Sequence, residues 1–78
     1  MAMIIKVLGT GCAKCNELER LVRAIVAESG SDATVEKVTD VREIAGMGVF
    51  TTPALVVDGV IKAAGSVPSR NDILSWIK

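Results

Sequence analysis

The sequence predicts an α/β domain in which one four-stranded mixed sheet is covered by helices, with the element order β-α-β-α-β-β-α. Three observations predict it: a short apolar run precedes an amphipathic helical pattern, an Asp-Gly pair joins two later apolar runs, and a helical pattern with a capping signal comes last. The first strand, crossover helix and second strand form a right-handed parallel unit. The later hairpin is antiparallel, so the sheet is mixed.

The first strand and helix have the clearest patterns. Residues 3–8 are a nearly continuous apolar run rich in β-branched side chains, which is typical of a buried strand, and Gly9 ends it. Residues 13–28 carry apolar side chains every three or four positions with charged side chains between them, which predicts an amphipathic helix. We expect Gly30 to cap its C-terminus after Ser29. The predicted buried face comprises Leu18, Leu21, Val22, Ile25 and Val26.

The middle of the sequence predicts a second strand and a short helix. Residues 33–38 form the strand, although their alternation is less regular. Asp40 and Glu43 match a capping box, with Asp40 as N-cap and the Glu43 side chain reaching back. This helix should be short, because Gly46 and Gly48 follow within two turns.

The last elements are a hairpin and a helix. Residues 54–57 and 60–64 flank an Asp-Gly pair, which is a strong signal for a two-residue hairpin turn. Ser69 and Asp72 repeat the capping-box spacing and open the last helix. Its predicted buried face is Ile73, Trp76 and Ile77.

Length and composition limit the classes of protein. With 78 residues, we expect residues 1–78 to form a single domain. Half of the residues are hydrophobic, yet no apolar run reaches the roughly 18 residues of a membrane span. Nine basic and nine acidic residues cancel without clustering. That distribution argues against a nucleic acid or an anionic membrane surface as partner.

The two cysteines lie in the segment Gly-Cys-Ala-Lys-Cys between the first strand and the first helix. Free N–H groups and the dipole at a helix start favour a negative charge, and such CxxC thiols can have a pKa as low as about 3.5–7.5 against about 8.5 for a free cysteine. Cys12, at the very start, is predicted to be the exposed and activated thiol. Cys15, one turn later, is placed to resolve a mixed disulfide. Lys14 adds a positive charge that favours the thiolate, unless it is merely a solvated side chain.

The same cysteines bear on compartment and metal binding. A disulfide across three residues closes too small a loop to hold a secreted mini-fold together, so the pair indicates reactivity or metal binding in a reducing compartment. The start of the sequence does not resemble a signal peptide, and we expect a cytoplasmic protein. A structural zinc site needs four ligands, whereas the sequence has two cysteines and no histidine. We therefore expect no metal and no cofactor other than a redox-active disulfide.

A second feature is the proline in Phe-Thr-Thr-Pro-Ala-Leu, residues 50–55. Pro53 stands at the entry to a strand that the element order makes central, where a proline removes a ladder donor. Such a proline either occupies the first strand position in the ordinary trans form or forms a cis bond. Phe50 and Met47, close by, belong either to the core or to an apolar rim beside Pro53.

Together these motifs resemble the thioredoxin and glutaredoxin superfamily, and most closely the small redox-active disulfide proteins of archaea and bacteria. Residues 7–15 are similar to their active-site segment and residues 48–54 to their cis-proline segment, while Gly65 stands where they carry a glycine near the active site. The resemblance implies a minimal thioredoxin fold. It also implies a thiol-disulfide oxidoreductase that exchanges its disulfide with a disulfide-containing protein substrate, and a thioredoxin-reductase-like electron donor as second partner.

The resemblance also implies roles for individual residues. Cys12 attacks, Cys15 resolves, and a cis Thr52–Pro53 bond beside them exposes the Thr52 backbone to pair with an extended substrate peptide, a form of strand addition. The implied substrate-binding residues are Gly11, Ala13, Lys14, Thr52, Pro53 and Gly65. The sequence differs from thioredoxins proper, which have Trp-Cys-Gly-Pro-Cys and a buried carboxylate in the preceding strand, where this sequence offers only Lys6.

Two other functions fit the CxxC motif. A ferredoxin-like metallochaperone also places a CxxC after its first strand, where two thiolates suit a soft ion such as Cu(I). That fold requires a last strand, whereas a helix is predicted here, and it gives Pro53 no role. A non-catalytic module that senses redox state through the same disulfide is the other alternative.

Overall fold

The computed structural model describes residues 3–77, which contain seven elements in the predicted order. They are β1 (Ile4–Leu8), α1 (Ala13–Ser29), β2 (Thr34–Val38), α2 (Val41–Gly46), β3 (Ala54–Val57), β4 (Val60–Ala64) and α3 (Arg70–Ile77). The predicted α/β class with a four-stranded mixed sheet is confirmed.

The four strands form one sheet in the order β2-β1-β3-β4. β1 and β2 are parallel, with Leu8 opposite Val38 at their carboxyl ends. β3 runs antiparallel to β1 and places Ala54, its first residue, opposite Leu8. β4 runs antiparallel to β3, with an irregularity in register between Leu55 and Val56. The carboxyl end of β1 and the amino end of β3 therefore meet at the same end of the sheet.

The larger part of the core lies between the sheet and the pair α1 and α3. Alternate residues of the central strands face these helices, because successive side chains of a strand point to opposite faces. The buried members of this cluster are Ile5, Val7, Leu18, Val22, Ile25, Leu55, Val57, Ile73 and Ile77. Leu21 and Val26 are partly buried against it, so the predicted face of α1 is the one that packs on the sheet.

Trp76, which is predicted on the buried face of α3, is partly buried and packs against this cluster, whereas Ile73 and Ile77 are buried. The remaining helix, α2, covers a smaller cluster on the other face of the sheet, which includes Leu8, Ile44 and Val56. Within residues 3–77, no helix combines the length and apolar character that crossing a membrane requires.

Local signals determine where the helices begin and end. Gly30 caps α1 in the left-handed conformation, with φ of 68°, and its N–H donates to the Val26 carbonyl, as predicted. The Ser69 hydroxyl accepts a hydrogen bond from the Asp72 N–H at 3.2 Å, which is the N-cap half of the predicted box.

The capping box predicted for α2 is only partly correct. Asp40 is the N-cap, but its carboxylate accepts from the Arg42 N–H at 2.8 Å rather than from the Glu43 N–H. Among the described residues, no hydrogen bond from the Glu43 side chain back to Asp40 completes the box. The Asp40 side chain forms an Asx turn that satisfies the free N–H group of Arg42. The six-residue helix is thus capped through its second residue.

The short α2 leaves part of its face of the sheet uncovered. Ile4 and Ile61 are 44% and 42% exposed there, and the half-buried Lys6 lies on the same face, next to Ile4 along β1. The three side chains help to line a cavity of about 180 Å³. Lys6 thus has open space beside it, although β1 is a central strand, and its ammonium group does not have to be buried.

The β3–β4 turn yields a test of the hairpin. Asp58 has φ of 49°, its N–H donates to the Ile4 carbonyl and its carboxylate accepts from the Ile4 N–H, both at 2.8 Å. Asp58→Ala should therefore lower the free energy of unfolding by about 1–3 kcal/mol, since it loses an acceptor and disfavours the left-handed backbone.

Asp58→Asn is the matched control, because asparagine keeps an acceptor oxygen and tolerates this conformation. Urea unfolding of both variants measures the difference. Equal losses of stability would contradict the role assigned to the Asp58 side chain.

Candidate active site

The CxxC segment occupies the connection from β1 to α1 at the carboxyl end of β1. Cys12 and Cys15 form a disulfide, with their Cα atoms 5.1 Å apart. Cys12 is the N-cap of α1, and Cys15 lies in the first turn of that helix. This is the helix start that the sequence predicted, and it brings the two sulfur atoms together at an exposed end of the sheet.

The two sulfur atoms have unequal surroundings. Cys12 is exposed, whereas Cys15 is only 1% exposed. The Cys15 N–H donates to the Cys12 Sγ at 3.2 Å, so the side chain of Cys12 caps the helix. In this oxidised form the acceptor is a disulfide sulfur. The first turn of α1 contains no acidic residue, so no carboxylate of that turn opposes a negative charge on Cys12.

Cys15 is seated against a glycine that the sequence marked only as a strand end. A Cβ at Gly9 would lie 2.7 Å from the Cys15 Cβ and even closer to its Sγ. Gly9 is also held by its N–H, which donates to the Val38 carbonyl at 2.9 Å. The missing side chain at position 9 therefore creates the space that Cys15 fills, and a spatial contact of this kind has no sequence signal.

Pro53 lies at the same end of the sheet, directly before β3. The Thr52–Pro53 peptide bond is cis, as predicted, and Pro53 is buried while Thr52 is exposed. The Pro53 carbonyl accepts from the Gly65 N–H at 2.9 Å. A Cβ at Gly65 would come within 3.2 Å of the Thr51 Oγ1 atom. The structure thus brings Gly65 beside the loop of residues 47–53, which precedes β3 and is called the proline loop below.

An apolar cavity adjoins these segments. It measures about 240 Å³ and is lined from both sides of the site, by Thr10 of the CxxC connection and by Thr52 of the proline loop. Val41 and Phe50 also line it, with 63% and 84% of their surface exposed. The sequence left open whether Phe50 and Met47 belong to the core or to an apolar rim. Phe50 belongs to the rim, whereas Met47 packs against the smaller core cluster beneath α2.

The other residues implied by the resemblance are at the surface of the CxxC connection. Gly11 has φ of 98°, a conformation that favours glycine, and it is exposed together with Ala13 and Lys14. Among the described residues, no group of three or more metal-ligating side chains is placed to hold an ion.

Sequence reasoning missed Asn16. Its amide Nδ2 donates to the Gly11 carbonyl at 3.4 Å, and its Oδ1 accepts from the Lys37 Nζ at 3.3 Å. Lys37 is in β2, 21 positions further along the chain. Only the parallel pairing of β1 and β2 brings the two together, so no local pattern could have identified them.

Gly9 provides a test of how Cys15 is seated. Gly9→Ala should lower the free energy of unfolding by about 1–3 kcal/mol, because the added methyl group forces Cys15 or the end of β1 to move. The rate at which the reduced pair closes to a disulfide should also fall. Denaturant unfolding and timed alkylation after mixing with an oxidant measure the two effects.

Gly46→Ala is the matched control, since nothing lies within 4 Å of a Cβ at that position in α2. It should leave disulfide closure unchanged and raise stability by up to about 1 kcal/mol. Identical behaviour of the two variants would show that the space at Gly9 is not required.

Comparison with known proteins agrees with this geometry. A family model described as "Thioredoxin domain" matches residues 3–78. A thioredoxin of Methanocaldococcus jannaschii is 45% identical over 76 residues, which cover 97% of this chain and 87% of that protein. A thioredoxin of Methanothermobacter thermautotrophicus is 42% identical over 71 residues, 91% of this chain and 92% of that protein. The chain therefore belongs to the thioredoxin family, and with its Cys12–Cys15 pair it is a thiol-disulfide oxidoreductase.

Proposed function

We propose that this chain reduces disulfide bonds in protein partners, with Cys12 as the attacking thiol and Cys15 as the resolving thiol. The unequal setting of the two sulfur atoms carries the proposal. Cys12 is exposed and accepts the Cys15 N–H, whereas Cys15 is 1% exposed behind it. An incoming disulfide can reach only the first sulfur directly.

The reaction proceeds in two exchanges. The Cys12 thiolate attacks one sulfur of the target disulfide, whose S–S bond breaks while a mixed disulfide forms, and the released target thiolate takes a proton from solvent. The Cys15 thiolate then attacks the Cys12 Sγ and releases the second target thiolate. Two electrons have passed to the target, and the chain ends with the Cys12–Cys15 disulfide. Family membership implies protein disulfide substrates and a reductase donor, and we propose a thioredoxin-reductase-like protein as the source of the two electrons that restore the dithiol.

The target peptide would bind across the exposed surface around the sulfur atoms. Thr52 is exposed directly before β3, so its backbone is available to an extended peptide that lies beside the CxxC connection. Gly11, Ala13 and Lys14 border the peptide on the CxxC side and Gly65 on the proline side. The cavity between Thr10 and Thr52 accepts an apolar side chain of the target, with Phe50 and Val41 as its rim.

We also propose that residues 1–78 act as one domain and that the protein works in the cytoplasm. The continuous core between the sheet, α1 and α3 supports the first statement. The second rests on the need of a dithiol reductant for a reducing compartment. The element order favours this function over a ferredoxin-like metallochaperone, because α3 and not a strand follows β4.

The division of labour between the cysteines is tested by trapping. Cys15→Ser should keep the attack but lose the resolution, so mixed disulfides with partner proteins accumulate on a non-reducing gel. Cys12→Ser should trap few partners, because the remaining thiol is buried. The double serine variant is the control for non-specific adducts.

Equal trapping by both single variants, or none by either, would contradict attack by Cys12. A metallochaperone gives a different result, in which either substitution abolishes Cu(I) binding and neither traps partners asymmetrically. Mass spectrometry of the trapped species identifies the substrate proteins.

The apolar rim is tested with substrates of two sizes. Phe50→Ala should slow the reduction of a protein disulfide such as that of insulin by about threefold to tenfold, which corresponds to about 1 kcal/mol of lost apolar burial. The reaction with the small disulfide of Ellman's reagent should change by less than about twofold, since it needs no rim contact.

Val60→Ala is the matched control, because Val60 is 55% exposed at the opposite end of the sheet, after the β3–β4 turn. It should leave both rates unchanged. An equal loss with both substrates in Phe50→Ala would mean that Phe50 acts on the cysteines and not on the target.

A further inference from the structure

Asn16 makes three hydrogen bonds, two to the segment before α1 and one to the sheet. Its backbone N–H donates to the Cys12 carbonyl at 3.0 Å, as the helix requires. Its side-chain amide donates to the Gly11 carbonyl at 3.4 Å and accepts from the Lys37 ammonium at 3.3 Å. One half-buried side chain thus links the residue before the attacking cysteine to β2.

Lys37 determines which way the Asn16 amide faces. An ammonium group has donors only, so it must meet the amide oxygen, and the amide nitrogen is then left for the Gly11 carbonyl, which can only accept. Lys37 is itself held by Glu19, whose Oε1 lies 3.3 Å from its Nζ. The second oxygen of Glu19 accepts from the Arg23 Nε at 3.0 Å.

Glu19 is ionised under ordinary conditions. Hydrogen bonds from Arg23 and then from Lys37 lower the pKa of its carboxyl below the usual value. Because the pKa is lowered in the folded state, these contacts stabilise the fold at pH values above the ordinary pKa of a glutamate. This stabilisation is lost as the pH falls through the lowered value. The support of Lys37 therefore persists through the neutral range in which thiol exchange takes place.

Gly11 is the residue that needs such support. It has φ of 98°, it is exposed, and nothing lies within 4 Å of the place where a Cβ would be. Glycine has the widest backbone freedom of any residue, and no atom packs against the position of a Cβ here. The Gly11 peptide therefore needs another restraint. The Gly11–Cys12 peptide is planar, and holding its oxygen also fixes the direction of the Cys12 N–H and the position of the Cys12 Cα atom.

We infer that Asn16 is a positioning residue for thiol exchange: by holding the Gly11 carbonyl, and with its amide oriented by Lys37, it keeps the Cys12 sulfur where the Cys15 N–H stabilises the thiolate. The inference rests on the proposed function, in which Cys12 attacks. Asn16 acts through Gly11 and touches neither the sulfur atoms nor the target. Without it, the connection samples other conformations, and in those the thiolate loses the N–H donor.

Nearby charges also change how readily the Cys12 thiolate forms, so the charged side chains at this end of the sheet have to be considered in any test. They are Lys14, Glu17 and Glu19 on α1, Lys37 in β2, and Asp40 and Arg42 at the start of α2. Asn16→Ala changes none of them. Any change in thiolate formation in that variant therefore reports the lost amide contacts and not an altered field.

The test is the pH profile of Cys12 alkylation by iodoacetamide in the reduced protein, with the labelled cysteine assigned by mass. Asn16→Ala should raise the midpoint of the profile by about half a unit, which lowers the alkylation rate below the midpoint by roughly threefold. Asn16→Asp should raise the midpoint further, because a carboxylate cannot donate to the Gly11 carbonyl and also adds a negative charge one turn from Cys12. Lys37→Met should raise it by a smaller amount.

Arg23→Met is the matched control. It removes a positive charge that is also bound to Glu19 but does not contact Asn16, and it should leave the midpoint within about 0.2 units. An unchanged midpoint in Asn16→Ala, or an equal shift in Arg23→Met and Lys37→Met, would overturn the inference. If Asn16→Ala does not fold, as judged by urea unfolding, the comparison of Lys37→Met with Arg23→Met decides.

A failure of this inference can be distinguished from a failure of the proposed function. Alkylation needs no partner protein, and the trapping experiment with Cys15→Ser leaves Asn16 intact. If Cys15→Ser traps partners while Asn16→Ala leaves the midpoint unchanged, only the role of Asn16 is refuted. No trapping with a raised midpoint refutes the proposed exchange and leaves Asn16 as a residue that orders the connection.

Discussion

The seating of Cys15 against Gly9 is the contact on which the rest of the site depends. A side chain at position 9 would overlap Cys15, so the glycine lets the first turn of α1 approach the end of β1. That approach buries Cys15 and leaves Cys12, the preceding N-cap, at the surface. The glycine therefore permits the difference in exposure between the two cysteines. In the proposed mechanism this difference separates attack from resolution, because a large target can reach only the outer sulfur.

The end of the sheet that holds the cysteines is built from segments distant in sequence. Antiparallel pairing sets Leu8 of β1 opposite Ala54 of β3, so the residues that follow one and precede the other are neighbours. Backbone hydrogen bonds then attach Gly9 to β2 and Gly65 to Pro53. The residue after β1 is thus bonded to β2 and the residue after β4 to Pro53, whereas Phe50 and Val41 project as exposed apolar side chains. The cysteine pair therefore lies beside a more accessible apolar rim.

Much of this could be predicted from the sequence, because its signals are local. The period of α1, the Asp58-Gly59 turn and Gly30 as a C-terminal cap each depend on a few adjacent residues, and each is found where expected. The prediction that failed, the reciprocal Glu43 bond, depends on the competition between alternative contacts, and Trp76 packs against the core while it is only partly buried. The contact of Gly9 with Cys15 and the link from Asn16 to Lys37 had no signal, since they exist only once β1, α1 and β2 are packed together.

The surroundings of Cys15 restrict how the resolving step can work. No polar or charged side chain is buried among the described residues, so Cys15 has no buried base beside it. Lys6, the only charged residue of β1, in a stretch where thioredoxins proper carry a buried carboxylate, points to the other face of the sheet from Ile5 and Val7, beside Ile4 and Ile61. Burial disfavours a free thiolate, so in the proposed resolving step the Cys15 proton leaves on the side that faces Cys12. The order of the connection around Cys12 then affects both proposed steps, because the N–H group that contacts the Cys12 sulfur is that of Cys15 itself.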